Sequence, residues 1–575
     1  MKILSWHRTP GCILSLLLIF GASSPASPAP AEKADVLLAT MQQELERAQT
    51  SLAKLDPAPY FLSYSVHDQS VSMAAGSEGS LVTSTRARRR SADIAMRIGT
   101  PALDNSHGQN RASASTMGSL PLNDDRNAIA HELWRLTYEE YRKASKAYSN
   151  VKTSNQVQAQ EEDTSPDFSV EKAATHFDYQ QTAVDPDQRK LEAFVREYSA
   201  HFRKYSYIYS SMVLISDQRT RFHFLSTEGN HVVAPSGYVR VSVEAETRAS
   251  DGMELIRVET FQAENFEHLP AAAEITAKVE KMAADLKALR DAPVAEPFDG
   301  PALLSGRASA VFFHEVLGHR LEGHRQRGEQ EGQTFTKKVG QSVLPEFLSV
   351  IDDPTERTLN GIDLGGWYEY DDEGLPATRV NVIENGILKN FLMSRMPIKN
   401  FSNSNGHGRS QPGLMPTGRQ GNLIVSSTRT VKDSELRQKL IDEVKKQGKP
   451  YGLYFEDIQG GFTLTQRNMP QAFQVLPVLV WRVYPDGHPD ELVRGIDIVG
   501  TPLAAMNRIL VTGEKTDVFN GVCGAESGQV PVAAAAPAML FSEIEVQKQA
   551  HGLNRPPILP APLEDASAPE KAGTR

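Results

Sequence analysis

The feature that most constrains this chain is the stretch from Phe313 to His324, which reads Phe-His-Glu-Val-Leu-Gly-His-Arg-Leu-Glu-Gly-His. It contains three histidines and two glutamates, and the apolar run 310–313 leads into it. Neutral imidazoles bind zinc well, and a glutamate beside the metal can act as a general base. The alternative is a histidine-rich surface helix, which the apolar lead-in disfavours.

The spacing of the first two histidines predicts an interrupted helix. Zinc peptidases of the His-Glu-x-x-His type place their histidines four apart on one helix face, but His314 and His319 are five apart. Five positions correspond to roughly 140° around an ideal helix, so a straight helix would point the two rings in different directions. Gly318 permits the bulge or helix end that would bring His319 back. Glu322 follows His319 by three positions and can share its face.

Length and charge exclude some classes of protein. The 575 residues allow two to four domains. The formal net charge is −10 and no extended basic tract occurs, so we expect no nucleic-acid partner. The short run 86–90 is rich in arginine, and a solvated strand edge accounts for it. No phosphate-binding or dinucleotide glycine motif is found, which disfavours a nucleotide enzyme.

The first residues are typical of an export signal. A cationic start precedes the apolar run 12–22, which is too short to span a bilayer, and small residues and prolines follow to Ala31. We therefore predict a signal peptide over residues 1–27, a periplasmic or extracellular bacterial protein, and no membrane insertion after cleavage. Loss of Cys12 leaves Cys523 alone in an oxidising compartment. Cys523 is then a buried residue without a chemical role, half of an intermolecular disulfide, a reactive thiol or a metal ligand.

Hydrophobic periodicity predicts an α+β fold: an N-terminal antiparallel sheet with long helices, followed by a β-rich C-terminal catalytic domain. Four predicted strands alternate as in a sheet with one wet face, at Tyr207–Ser216, Thr220–Ser226, Tyr238–Thr247 and Glu254–Phe261. The C-terminal part has short strands and one clear helix at Asp433–Gln447. The predicted units are an α+β region over 32–185, a strand-rich unit closed by a long helix over 186–292, the β-rich domain over 297–548 and a disordered tail over 549–575.

Four segments of the C-terminal part, in this order, resemble the TldD/PmbA family of metallopeptidases. They are the stretch Gly300–Leu304 running into His314–Gly323, the pair Asp371–Gly374 and Ile383–Leu388, the loop Ser404–Arg409, and Asn520–Gly524 with Gly528–Val532. Together they cover residues 297 to about 546. The N-terminal half matches only loosely, and known relatives are mostly cytosolic, unlike a chain with an export signal.

The resemblance implies a zinc ion held by His314, His319 and Cys523, with Glu315 acting in catalysis. It also implies peptide substrates bound as an added β-strand, and two-subunit assemblies, which here means a homodimer or a heterodimer with a family paralogue. Some family members lack the metal motif and serve as inactive partners. This chain keeps the motif and is therefore similar to the active branch.

These observations predict a zinc-dependent peptidase that hydrolyses unstructured peptides or small unfolded proteins, with Glu315 as general base. A donor for the developing oxyanion is also needed, and His407 and Arg409 are the candidates for substrate or oxyanion binding. Glu322 either orients a metal ligand without binding the metal itself, or caps the helix.

Three alternatives stay open. The scaffold could be a non-catalytic partner subunit that binds peptide or zinc. A local ligand set could form from His319, Glu322 and His324, with Cys523 as a free thiol. Cys523 could also be the nucleophile of a thiol hydrolase, provided that a histidine approaches it in space.

Overall fold

The computed structural model describes residues 35–108, 114–155, 163–179, 187–327, 333–466 and 472–549. The predicted signal peptide over 1–27, and the predicted tail beyond Gln549, lie outside these residues. Within the described ranges, no helix combines the length and the apolar character needed to cross a membrane.

The N-terminal half is built on one eight-stranded sheet. The strands are β1 (Pro59–Ser77), β2 (Ser80–Thr100), β3 (Leu103–Asp104), β4 (Ser115–Ser119), β5 (Thr175–Phe177), β6 (Ser210–Ser226), β7 (His231–Arg248) and β8 (Glu254–Ala263). They run in the order β3-β2-β1-β6-β7-β5, with β4 added to β2 and β8 added to β7. All pairings are antiparallel except that of β5 with β7. Because β1 pairs with β6, strands from both predicted N-terminal units join one sheet.

Four helices cover one face of this sheet. They are α1 (Val36–Leu52), α2 (Arg126–Asn155), α3 (Gln188–Ser199) and α4 (Ala272–Asp291). Even-numbered residues of β1 such as Tyr64 and Ala74 are buried in the helix-lined cores. Successive side chains of a strand point to opposite faces, so the odd-numbered residues of β1 point away from the helices. Ser65 and His67 of that face line cavities shared with residues of the C-terminal half.

The C-terminal half is a mixed sheet of eleven strands that closes on itself. The strands are β9 (Phe298–Leu304), β10 (Leu348–Asp352), β13 (Val380–Glu384), β14 (Ile387–Leu388), β17 (Asn422–Ser427), β18 (Gly452–Thr463), β19 (Phe473–Val483), β20 (Glu491–Val493), β21 (Ile496–Gly500), β22 (Ile509–Ala525) and β23 (Gly528–Lys548). Their order in the sheet is β14-β13-β10-β17-β23-β21-β19-β18-β9. In addition, β20 pairs with β19, β22 pairs with β23, and β23 also pairs with β9. Contact of β9 with β23 turns this part of the sheet into a barrel.

Two short ladders and three helices complete this half. The ladders pair β11 (Thr358–Leu359) with β12 (Ile362–Asp363) and β15 (Gly408–Arg409) with β16 (Thr417–Gly418). The helices are α5 (Gly306–Val316), α6 (Asp433–Gln447) and α7 (Pro502–Met506). From Ala308 to Val316 every residue of α5 is buried, as expected for a helix that is surrounded on all sides. The predicted α+β fold class is therefore confirmed, and α6 has the predicted bounds.

One strand prediction was wrong in detail. Tyr207–Ser216 and Thr220–Ser226 were expected as two strands, but β6 runs continuously from Ser210 to Ser226. The polar residues between them resemble a turn in the sequence. In the structure Asp217 and Arg219 are buried and pair with each other, with Nη2 2.8 Å from Oδ2, so the strand continues through them.

Candidate metal centre

The two histidines of the metal motif lie on either side of a helix end. Ser305 caps the start of α5 by accepting a hydrogen bond from the backbone of Ala308 at 3.1 Å. The helix ends at Val316, and a single 3₁₀ turn, Gly318–Leu321, follows directly. This change of winding brings the rings of His314 and His319 to a centroid separation of 5.1 Å. The predicted interruption at Gly318 is confirmed.

Cys523 joins the two histidines from the far end of the chain. It lies on β22, close to the turn of the β22–β23 hairpin, and its Sγ is 3.4 Å from His319 Nε2. One potential ligand atom from each of His314, His319 and Cys523 lies within 4.8 Å of the other two, and all three residues are buried. His314 Nδ1 is buried without a hydrogen-bond partner. Two imidazoles and one thiol form a donor set that suits zinc, so the residues present fit this metal.

The charges in this group favour a thiolate. Burial alone raises the pKa of the Cys523 thiol, but the neighbouring imidazoles of His319 and His314 lower it well below its ordinary value. Burial likewise lowers the pKa of His319, and the opposing effect of the Cys523 charge and of Glu322 raises it well above 6.5. A thiolate is the form of cysteine that binds metals.

Glu315 lies beside the ligand group. Its side chain is largely buried, and its Oε2 is 3.9 Å from His319 Nε2. The strand β18 passes close by: a Cβ atom on Gly461 would lie 3.0 Å from Glu315 Cγ. Glycine at that position therefore allows the backbone to approach the carboxylate closely. The carboxylate thus has the nearness to the ligand group that a general base requires.

Glu322 supports His319 from the side opposite the thiol. Its Oε1 is 3.2 Å from His319 Nδ1, and its Oε2 accepts a hydrogen bond from Arg325 Nε at 2.7 Å. Burial raises the pKa of Glu322, but His319, Arg325 and Arg419 outweigh this effect and lower it to about 2. A carboxylate on the second ring nitrogen fixes the orientation of a metal-binding imidazole. This arrangement matches the orienting alternative predicted for Glu322, although its role stays a prediction.

Arg419 is a central residue that the sequence patterns did not single out. It is fully buried, and its Nε is 3.3 Å from Glu322 Oε1. Its Nη2 donates to the backbone oxygen of Cys523 at 2.9 Å, and its Nη1 donates to Ser527 Oγ at 2.8 Å and to the backbone oxygen of Gly528 at 3.0 Å. One guanidinium therefore connects the Cys523 hairpin with the carboxylate that holds His319. No local motif marks such a residue, because its partners are about a hundred positions away.

Arg409 supports the backbone of His314 through Gln420, whereas His407 lies between Asn405 and Asp352. His407 is fully buried between Asn405 and Asp352, with Nδ1 3.0 Å from the Asn405 backbone oxygen and Nε2 3.3 Å from Asp352 Oδ1. Arg409 Nη1 donates to the backbone oxygen of Gln420 at 2.7 Å, and Gln420 Nε2 donates to the backbone oxygen of His314 at 3.4 Å. Their predicted substrate or oxyanion role is untested: the contacts of His407 fit a supporting role, whereas Arg409 also lines a cavity.

The described residues contain two further groups of potential metal ligands. Glu322, His324 and Glu526 form one, and His176, Asp178 and Glu369 form the other, where the two halves of the chain meet. The alternative ligand set of His319, Glu322 and His324 does not occur among the groups in the described ranges. His324 contacts Glu526 instead.

A cavity of about 320 Å³ lies between the N-terminal sheet and the C-terminal half. Gln69 and Thr220 of the sheet line it on one side, and Asp372, Arg409 and Val530 line it on the other. Val530 is the cross-strand partner of Cys523. The hairpin that carries the thiol therefore forms part of the cavity wall.

The fold and the site define the class: an α+β protein with a buried His-His-Cys group that is a candidate metal centre. Residues 299–548 match the family model of the PmbA/TldA metallopeptidase C-terminal domain. This part of the chain is therefore similar to the C-terminal domain of the TldD/PmbA metallopeptidases.

Relatives in two groups of organisms agree with this assignment. The "Metalloprotease TldD homolog" of Buchnera aphidicola (subsp. Acyrthosiphon pisum) is 27% identical over 250 residues, which are 43% of this chain and 47% of the relative. The "Zinc metalloprotease TldD homolog" of Saccharolobus solfataricus is 24% identical over 252 residues, or 43% and 51%. The chain thus aligns with about half the length of these curated relatives.

A solved structure extends the likeness of fold to most of the chain. This Thermotoga maritima protein, named as a candidate modulator of a DNA gyrase, superposes with a TM-score of 0.59. The match covers 88% of this chain and 99% of that protein at 15% identity, so it demonstrates the fold alone.

Proposed function

We propose that this chain is a zinc-dependent peptidase that hydrolyses unstructured peptides or small unfolded proteins. The observation that carries the proposal is the convergence of His314, His319 and Cys523, with the Glu315 carboxylate 3.9 Å from His319. The metalloprotease names of the relatives support it. The three residues would hold the metal through two nitrogens and one sulfur, which leaves room for a substrate atom or water.

When bound, the zinc supplies Lewis acidity, which polarises a carbonyl and acidifies water. Glu315 takes the proton from the attacking water and delivers it to the leaving amine. Glu322 keeps the His319 ring in place by holding its Nδ1, so that Nε2 faces Glu315 and the thiol. Burial of these groups excludes bulk water and strengthens each electrostatic contact.

The cavity whose wall includes the hairpin is the place we propose for the peptide, because its volume of about 320 Å³ excludes a folded domain. His314, Glu315, His319 and Cys523 do not line this cavity, but Val530, the cross-strand partner of Cys523, does. An unstructured chain can also be bound through backbone hydrogen bonds, which tolerate many sequences.

We also propose that the protein acts outside the cytoplasm, as a homodimer or a heterodimer with a family paralogue. The support is the pattern of residues 1–31 and the family resemblance.

The deciding experiment combines metal analysis of the purified protein with digestion of an unstructured peptide, with and without a chelator. We expect one zinc per chain, and hydrolysis that the chelator abolishes and added zinc restores. Exchange of His314 for Ala should remove both metal and activity. His131→Ala is the matched control, because His131 lies exposed on α2. Zinc binding without hydrolysis of any peptide would favour the non-catalytic partner subunit instead.

The geometry also favours one second candidate, a thiol hydrolase. His319 approaches Cys523 to 3.4 Å, and Glu322 holds the other ring nitrogen, which is the order of nucleophile, base and orienting carboxylate. The two candidates differ in their response to metal removal. A thiol hydrolase keeps or gains activity in a chelator and loses it on alkylation of the metal-free protein, whereas a zinc peptidase is already inactive without metal.

A further inference from the structure

The thiol of the metal centre lies near the tip of a β-hairpin. Cys523 is three residues before Glu526, and the hairpin turns at Glu526 and Ser527 between β22 and β23. A metal ligand has to be held to within roughly 0.5 Å of its working position. Arg419 holds the backbone of this hairpin through Cys523, Ser527 and Gly528, and a side-chain contact at the turn would add to that support.

Glu526 supplies such a contact to the segment that carries His319. Its Oε1 lies against His324 Nε2, and its Oε2 accepts a hydrogen bond from Arg325 Nη2 at 2.8 Å. His324 and Arg325 are buried, whereas the Glu526 side chain is 42% exposed. They follow His319 by five and six positions. The contact therefore joins the two chain segments that contribute His319 and Cys523.

The contact between Glu526 and Arg325 extends through Glu322 to the imidazole ring of His319. Arg325 Nε donates to Glu322 Oε2 at 2.7 Å, and Glu322 Oε1 lies 3.2 Å from His319 Nδ1. A continuous chain of charged groups thus runs from the hairpin turn, through Arg325 and Glu322, to the ring of His319. Charge-assisted hydrogen bonds of this kind are about twice as strong as neutral ones and fix geometry well.

Glu322, His324 and Glu526 are also close enough to hold a second cation. Arg325, however, donates to both carboxylates, at 2.7 Å to Glu322 and 2.8 Å to Glu526. Its guanidinium places a fixed positive charge where the cation would bind and already balances the carboxylates. The group therefore acts as an ion-pair network.

We propose that Glu526 is a positioning residue: it clasps the Cys523 hairpin to the His319 turn and so sets the affinity and geometry of the metal centre. The inference rests on the proposed zinc site and deepens it. Because Glu526 is partly exposed and at a turn, its replacement leaves the cores of both halves intact. Replacement of Glu526 should therefore lower the metal affinity more than it lowers the stability of the fold.

The test is binding of Co²⁺ to the metal-free full chain, followed by competition with a chelator and by absorption spectroscopy. A charge-transfer band between thiolate and cobalt that Cys523→Ser removes identifies Cys523 as a ligand. For Glu526→Ala we expect a 10- to 100-fold loss of affinity, which is typical when a residue supporting a ligand is removed. We also expect a weaker thiolate band, and Glu526→Gln should lie between the alanine variant and wild type. Glu514→Ala is the control, because Glu514 is exposed on the same strand.

The outcomes separate this inference from the proposed function. Wild-type binding with an unchanged affinity and band in Glu526→Ala would overturn the clasp while leaving the metal centre intact. A second equivalent of cobalt that Glu526→Ala loses would also overturn it, because the group would then be a metal site. A wild-type protein that binds no cobalt would overturn the proposed metal centre and the clasp together.

Discussion

Gln420 occupies the space beside Gly318 that a side chain would need. A Cβ atom on Gly318 would lie 1.9 Å from Gln420 Oε1, far inside van der Waals contact. Gln420 also donates to the backbone oxygen of His314 at 3.4 Å, so it fills the joint between α5 and the following turn. The contact between Gly318 and Gln420 therefore permits the change of backbone direction that brings the two histidines together despite their five-residue spacing.

Gly318→Ala should therefore weaken metal binding strongly, because either Gln420 or the turn that carries His319 has to move. Metal affinity, measured by chelator competition, is the readout. Gly460→Ala is the matched control, since a Cβ there meets nothing within 4 Å. The double variant Gly318→Ala with Gln420→Ala should recover part of the lost affinity. If the double variant is no better than Gly318→Ala, the clash with Gln420 is not the cause.

Glu315→Gln should abolish peptide hydrolysis while leaving zinc content nearly unchanged. The amide keeps the size of the carboxylate but cannot take a proton, and loss of a general base costs on the order of 10²–10⁴ in rate. Turnover of a fluorogenic peptide and metal analysis of the same sample test this. Full activity would exclude the role of base, and loss of zinc would make Glu315 a ligand.

Removal of zinc should expose the Cys523 thiol to alkylating reagents. With metal bound we expect slow reaction, because the sulfur is a ligand and the residue is only 6% exposed. A thiol titration before and after chelation measures the difference, and Cys523→Ser should lower zinc affinity. Rapid alkylation of the zinc-loaded protein would show that the thiol is not a ligand.

The contribution of Glu140 to the stability of the N-terminal half should fall as the pH rises. Burial of Glu140 raises its pKa to about 8, against the weaker effects of Thr116 and Lys143. A carboxyl group whose folded pKa is raised contributes its full stability below its unfolded pKa of about 4.5. That contribution is lost between about pH 4.5 and 8, because the unfolded chain ionises first.

Thermal unfolding between pH 5 and 9 tests this. Glu140→Gln stays neutral, so we expect it to flatten the profile and to stabilise the protein above pH 8 by on the order of a few kcal/mol. Glu139→Gln, an exposed neighbour on α2, is the control. Equal pH profiles for wild type and Glu140→Gln would mean that Glu140 is ionised in the folded protein.

The structural features that could be predicted from the sequence are those that depend on local patterns of residues. The interruption at Gly318 follows from the spacing of two histidines, and α6 follows from its helical periodicity and from Gly448, which ends it in a left-handed conformation. The approach of Cys523 to the histidines was expected only from the family resemblance. Spacing alone cannot indicate that the strand with Cys523 packs against His319, which lies 204 positions earlier in the chain.

Residues with distant partners could not be predicted in this way. Arg419 and Glu526 look like ordinary charged residues in the sequence, and their roles arise from contacts with the His319 segment. The C-terminal part was predicted to have short strands, but β22 runs from Ile509 to Ala525 and includes polar and glycine-rich residues. They are held in a strand by pairing with the alanine-rich β23.

The pairing of β9 with β23 joins the first strand of the barrel to the last. His314 lies on α5, the helix that follows β9, whereas Cys523 lies on β22, near the C-terminal end of the domain. A nascent chain that has been made only as far as β21 contains both histidines but not Cys523. The metal proposed for this site would therefore gain its full set of ligands only after β22 has been made and the barrel has closed.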